Sequence, residues 1–146
     1  MSSAERRAVV LERAVVLDTG VLVSAAIRPG SVPALAVHKA LMHFDVCVSG
    51  ATWLELETVL SRAKFDAYLP LVARQAFVEG LREHVTFVDA PAAVTDCVDP
   101  ADNKFLDLAL AANAEVIVSR DPHLTTMHPW RGIPIVVPAG FLVAVV

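Results

Sequence analysis

Short, continuously apolar runs alternate along this chain with longer stretches of helical period. Val15-Val16-Leu17 is mostly β-branched and reads as a buried strand over about 14–18; Val21, Leu22 and Ala25-Ala26 then begin a short helix. Arg28-Pro29-Gly30-Ser31 is a strong turn. Ala34, Leu35, Val37, His38, Leu41 and Met42 recur at helical spacing from Pro33 to about Phe44, and 45–49 is the next short strand. Trp53, Leu56, Val59 and Leu60 form one stripe of a helix over 52–63, and the apolar positions of 66–84 predict another helix. A weak strand over 85–88, a helix from Asp99 to about Ala112, a clear strand over 114–119 and a last strand over 133–137 complete the series.

Strands that are short and apolar throughout, alternating with helices, predict a three-layer α/β/α sandwich around a central, mainly parallel sheet. Residues 1–13 mix charge with small apolar patches and read as a tail, leaving 14–146 as one domain. Right-handed crossovers place every strand's carboxyl end on one edge of such a sheet. Asp18, Ser49 and Asp121 each lie at or just past a strand end, so they are expected to gather there.

Composition narrows the function. The chain has 146 residues, 55% of them hydrophobic and only 19% charged, which suits strands buried on both faces together with a partner surface. No apolar run approaches the roughly 20 residues of a membrane helix, and Glu12 and Arg13 interrupt any secretory core, so no membrane role and a cytoplasmic location are expected. Cys47 and Cys97 share no ligand spacing with histidine and are expected to be core thiols.

Each acid has a plain structural alternative. Asp18 suits the N-cap of the short helix, and Asp121 before Pro122 suits a turn. Asp99, Pro100 and Asp102 fit N-cap, N1 and N3 of a good helix start. Glu55 and Glu57 fall on opposite flanks of their helix stripe, and periodicity does not choose between them. Taken together, several carboxylates at one sheet edge form the oxygen-only donor set of Mg²⁺ or Mn²⁺, one ion or two. Such ions clamp a phosphodiester and lower the pKa of an attacking water. The net charge of -4 does not exclude RNA: setting aside Asp18, Glu55, Asp99, Asp102 and Asp121 leaves eleven acids against twelve bases.

Three segments, VVLDTGVLVSA, SGATWLELETVLSRAKF and VDPADNKFLDLALAANAEVIVSRDPHL, carry a family resemblance from about Val15 to Val137. In order and spacing the chain resembles PIN-domain proteins (PilT N-terminus), of the kind found as VapC-like toxins of type II toxin–antitoxin pairs. The resemblance implies a metal-dependent endoribonuclease whose ligands match Asp18, Glu55, Asp102 and Asp121, with Asp99 as an accessory acid. Glu55 is preferred to Glu57 because the family's glutamate lies six residues past the serine that ends the second strand, here Ser49. Thr19, Ser49 and Ser119 are accessory positions, and Ser119 matches a hydroxyl residue that orients ligands or water. Arg120 and Lys104 are candidate phosphate contacts. A cognate antitoxin and a homodimer are the implied protein partners.

One departure stands out. The family usually follows its first aspartate with Thr-Asn, whereas this chain has Thr19-Gly20. An inactive PIN-like binding or scaffold module is therefore the second reading. A third, an aspartic protease, rests on the Asp18-Thr19-Gly20 triplet and requires an all-β scaffold.

Overall fold

The computed structural model describes residues 13–144. The expected tail lies outside the described residues except for Arg13, as do the last two residues of the expected domain. Five strands, β1 (Ala14–Leu17), β2 (Asp45–Val48), β3 (Thr86–Phe87), β4 (Val116–Val118) and β5 (Ile135–Val136), form one sheet in the order β3-β2-β1-β4-β5. Every pairing is parallel, with Val15 opposite Val46 on one side and Val116 on the other.

Among the described residues, seven α-helices flank the sheet: α1 (Thr19–Ile27), α2 (Val32–His43), α3 (Gly50–Leu60), α4 (Leu71–Arg82), α5 (Asn103–Ala112), α6 (Pro122–Thr125) and α7 (Pro138–Val143). Alternate strand residues point to opposite faces and split the core in two. Val15, Leu17, Val46, Val48 and Val118 pack under α1 to α4 and α7. Ala14, Val16, Cys47, Ile117 and Ile135 pack against α5 on the other face. This is the three-layer α/β/α sandwich that the alternating pattern predicts. Both cysteines are buried, and burial raises the Cys47 thiol to about 11.

Two departures from the expected elements trace to proline. The helix expected over 66–84 begins only at Leu71, because Pro70 occupies its N-cap and disfavours helical backbone just before it. A single 3₁₀ turn, Ala63–Phe65, fills part of the gap. Beyond the last strand, Pro138 sits at N1 of a helix that the apolar pattern did not separate from the strand. Lys39 Nζ donates to the Phe141 and Ala144 carbonyls at its end, 2.6 and 2.9 Å away.

The long segment between β3 and α5 carries Asp99 and is held by buried polar contacts. Asp107 Oδ1 on α5 accepts from the backbone of Ala93 and Val94 at 3.0 and 2.8 Å, and Asn103 Oδ1 accepts from Cys97 N at 2.8 Å. Asp96 accepts from Trp130 Nε1 at 2.9 Å and from Arg131 at 3.1 Å, bonds that hold its carboxyl below the usual range. Replacing Asp107, a buried residue, by alanine leaves two N–H groups without an acceptor. Urea unfolding of Asp107→Ala is expected to show a loss of about 2–3 kcal/mol, the cost of deleting a charged acceptor from buried donors.

Candidate metal centre at the sheet edge

The sheet order reverses between β1 and β4, and the crevice outside their carboxyl ends is where open α/β sheets place ligands. Asp18 follows β1 directly, and its backbone N–H still bonds to Val118 O at 2.9 Å. Its carbonyl starts α1 by accepting from Val21 and Leu22, yet its carboxylate caps nothing. Instead Asp18 Oδ2 accepts from Ser119 Oγ at 2.6 Å, and the same hydroxyl oxygen accepts from Asp121 N at 3.0 Å. Ser119 is fully buried behind the site and orients both acids.

Asp102 ends the 3₁₀ turn Pro100–Asp102 and occupies the N-cap position of α5, again without a side-chain cap bond. Asp99 does cap that turn, accepting from Ala101 N at 3.0 Å. Asp121 caps α6 through His123 N at 2.9 Å. Glu55 projects from α3 toward the same place. Its Oε2 accepts from Thr19 Oγ1 at 2.5 Å and its Oε1 from Lys104 Nζ at 3.0 Å.

Asp18, Glu55, Asp102 and Asp121 therefore line one open cleft of ≈ 410 Å³, with Thr19 and Gly20 on its wall. Glu57, one residue face away, lines a separate cavity with Arg74. The other expected residues sit around the cleft in different ways. Asp99 lies on its outer flank beside His123, 4.0 Å from Nδ1. Arg120 stands at the rim, its guanidinium donating to Ser24 Oγ at 2.6 Å. Lys104 is engaged by Glu55 and by the Ala101 carbonyl at 2.6 Å, so its charge is spent on the acid cluster. Ser49 is the buried N-cap of α3 in a reciprocal capping box with Thr52 and does not line the cleft. It acts at a distance, by setting where α3 begins and hence where Glu55 falls.

Four further residues, none of them expected from the sequence, contribute around the cleft. His123 faces Asp99 and Asp121, the latter at 3.4 Å from Nδ1. Lys64 and Phe65 reach the cleft from the 3₁₀ turn after α3. Asn103 holds Cys97 in the segment that carries Asp99. Only His123 had a legible signal, its place two residues past Asp121.

The electrostatics favour a cation here. Burial raises the Asp18 carboxyl above its ordinary range; the Ser119 hydrogen bond pulls it back, and Asp121 and Glu55 push it up again. Asp102 is pushed up to about 7, first by burial and then by Asp121, which lies close enough to share a proton, with Asp18 and Asp99 adding repulsion. Asp102 Oδ2 is moreover buried with no hydrogen-bond partner. An oxygen-rich set of mutually repelling acids with one orphaned oxygen fits a divalent cation.

A profile of the PIN domain matches residues 14–123, and the chain belongs to this family, a family of nucleases whose domains generally bind divalent metal. In fold it is similar to the VapBC2 structure from Rickettsia felis, solved with a promoter DNA fragment (TM-score 0.59, 12% identity, covering 85% of this chain and 98% of that one). It also resembles PAE2754 from Pyrobaculum aerophilum (0.56, 17% identity, 89% and 88%) and FitAcB from Neisseria gonorrhoeae (0.54, 17% identity, 86% and 98%). No curated protein matches the chain. The aspartic-protease alternative falls here, because Asp18-Thr19-Gly20 opens a helix beside an all-parallel sheet.

The raised Asp102 pKa has a measurable consequence in metal-free protein. The folded state holds this proton up to about 7, while the unfolded chain releases it near 3.8, so between these values the native state binds more protons. Stability from this group is present at low pH and is lost as pH rises through about 7. Thermal melts in EDTA are expected to show the wild type losing ground to Asp102→Asn across that interval.

Proposed function

We propose that this chain is a divalent-metal-dependent endoribonuclease that hydrolyses RNA phosphodiester bonds, the toxin half of a type II toxin–antitoxin pair acting in the cytoplasm. The observation that carries this reading is the convergence of Asp18, Glu55, Asp102 and Asp121 on one cleft, with Asp102 Oδ2 buried and unpartnered. Mg²⁺ or Mn²⁺, one ion or two, would be held by these four carboxylates, with Asp99 as an accessory. A bound ion of this kind activates water and neutralises charge on the phosphodiester.

The chain's own residues supply the rest. Ser119 orients Asp18 and fixes the backbone of Asp121, while Thr19 and Lys104 hold Glu55 toward the cleft. RNA as substrate is supported by the adjoining groove of ≈ 570 Å³, which shares Arg120, Lys64 and Phe65 with the acid cleft. Arg28, Lys64 and Arg120 line that groove, none of the described carboxylates does, and exposed Tyr68 offers a ring face for a base. A cognate antitoxin and a second copy of the chain are the proposed protein partners, and exposed Leu54, Val72 and Val98 are apolar side chains available to such contacts. Among the described residues, no single helix is long and apolar enough to cross a membrane.

Asp18→Asn and Asp121→Asn are expected to lower Mn²⁺-dependent cleavage of a fluorescent RNA more than about 100-fold, since residues that merely orient ligands cost 10- to 100-fold. Ser119→Ala belongs in that smaller range. Glu55→Gln is expected to behave like the aspartate variants and Glu57→Gln like wild type. Activity that persists in EDTA would overturn the metal reading.

The inactive-module reading is favoured by one observation, Gly20 in place of the family's asparagine. A Cβ at Gly20 meets nothing within 4 Å, and its backbone is ordinary helix, so the missing side chain is not excluded by crowding. Gly20→Asn is accordingly expected to fold normally and to raise cleavage, measured as kcat on the same RNA. Wild type that neither cleaves RNA nor binds Mn²⁺ by calorimetry would establish the inactive module instead.

A further inference from the structure

His123 stands on the outer flank of the acid cleft. Its placement is fixed from below: Pro122 starts α6, and the His123 N–H bonds to Asp121 Oδ1 at 2.9 Å. The imidazole faces acids on two sides, with Nδ1 4.0 Å from Asp99 Oδ2 and 3.4 Å from Asp121 Oδ1. One donor atom from each of Asp99, Asp102 and His123 lies within 4.8 Å of the other two. Asp99 and Asp121 both keep their other roles as turn and helix caps while facing this point. Asp102, only 8% exposed, brings to it an acid with one buried oxygen that has no partner.

We propose that Asp99, Asp102 and His123 form a cation position of mixed nitrogen and oxygen donors, contiguous with the inner carboxylates through Asp102. The proposal deepens the metal reading given above and rests on it. Its content is a selectivity. Mg²⁺ demands hard oxygen ligands in near-ideal octahedral geometry, whereas an imidazole nitrogen strengthens binding along the first-row series from Mn²⁺ onward. The site therefore takes Mn²⁺, or a later first-row divalent ion, in preference to Mg²⁺. His123 is half exposed, which leaves its ring free to turn onto an ion and gives solvent access for ligand exchange. Cys97 lies beneath, its Sγ donating to the His123 carbonyl at 3.5 Å, and is buried outside the three-residue cluster.

The test uses the full chain and Mn²⁺ alone, without RNA. Pulsed electron paramagnetic resonance is expected to show ¹⁴N coupling from a directly bound imidazole in wild type and none in His123→Ala. Calorimetry is expected to show Mn²⁺ affinity falling at least about 10-fold in His123→Ala, with Mg²⁺ affinity little changed. Matching thermal melts of the two metal-free proteins verify that the variant folds. Bound Mn²⁺ without nitrogen coupling, or with coupling that survives His123→Ala, overturns the proposal while leaving the carboxylate centre standing. Absence of any Mn²⁺ binding overturns both.

Discussion

Like-charge repulsion among carboxylates that have been taken out of water is the constraint around which this molecule is arranged. Asp18 and Asp102 are 7% and 8% exposed, and each has another acid as a neighbour. Isolated buried carboxylates are costly, and clustering raises the cost further. Three devices in the protein offset part of it. Ser119 donates to Asp18, Thr19 and Lys104 donate to Glu55, and the amino ends of α1 and α5 present their positive poles to the same cleft. A helix terminus contributes about 0.3–1 kcal/mol toward a nearby anion. None of these reaches Asp102 Oδ2, and the proton that Asp102 retains up to about 7 is the measure of what remains uncompensated.

The fold supplies the cluster because of where the sheet changes direction. With β1 in the middle, its carboxyl end adjoins that of β4, and the two strands deliver Asp18 and Ser119-Arg120-Asp121 to one crevice. α3 and α5 then bring Glu55 and Asp102 from opposite faces of the sheet. Four residues far apart in the chain meet because parallel strands share a carboxyl edge, not because any local motif assembles them.

That is also why so much was legible from the sequence and why certain parts were not. Buried parallel strands announce themselves as apolar runs, so Val15–Leu17 and Val116–Val118 were plain, and with them the acids that follow. Glu55 and Glu57 were not separable by periodicity, because both flank the α3 stripe at similar angles; only the path of α3 against α1 makes one of them meet Thr19. The helix expected from residue 66 failed at Pro70, where the local backbone rule outweighs apolar spacing. Lys104, expected as a phosphate contact, is engaged instead by Glu55, which lies 49 residues away in the chain. His123 carries one sequence signal, its place two residues past Asp121, and its position between Asp99 and Asp121 comes from the fold.

The capping role open to each acid in the sequence is taken up at some of them and not at others. Asp99 and Asp121 cap short turns through their side chains, as the plain reading holds, and both still face the cleft or its flank. Asp18 and Asp102 occupy N-cap positions with side chains that cap nothing. At α1 the backbone carbonyl of Asp18 alone starts the helix, so the carboxylate is free to face Ser119. A serine or threonine at these two positions would satisfy the helix start as well or better, as Ser31 and Ser49 do for α2 and α3. Aspartate at both, buried and mutually repelling, therefore costs stability that helix initiation does not require. A bound cation, as proposed above, would offset that cost.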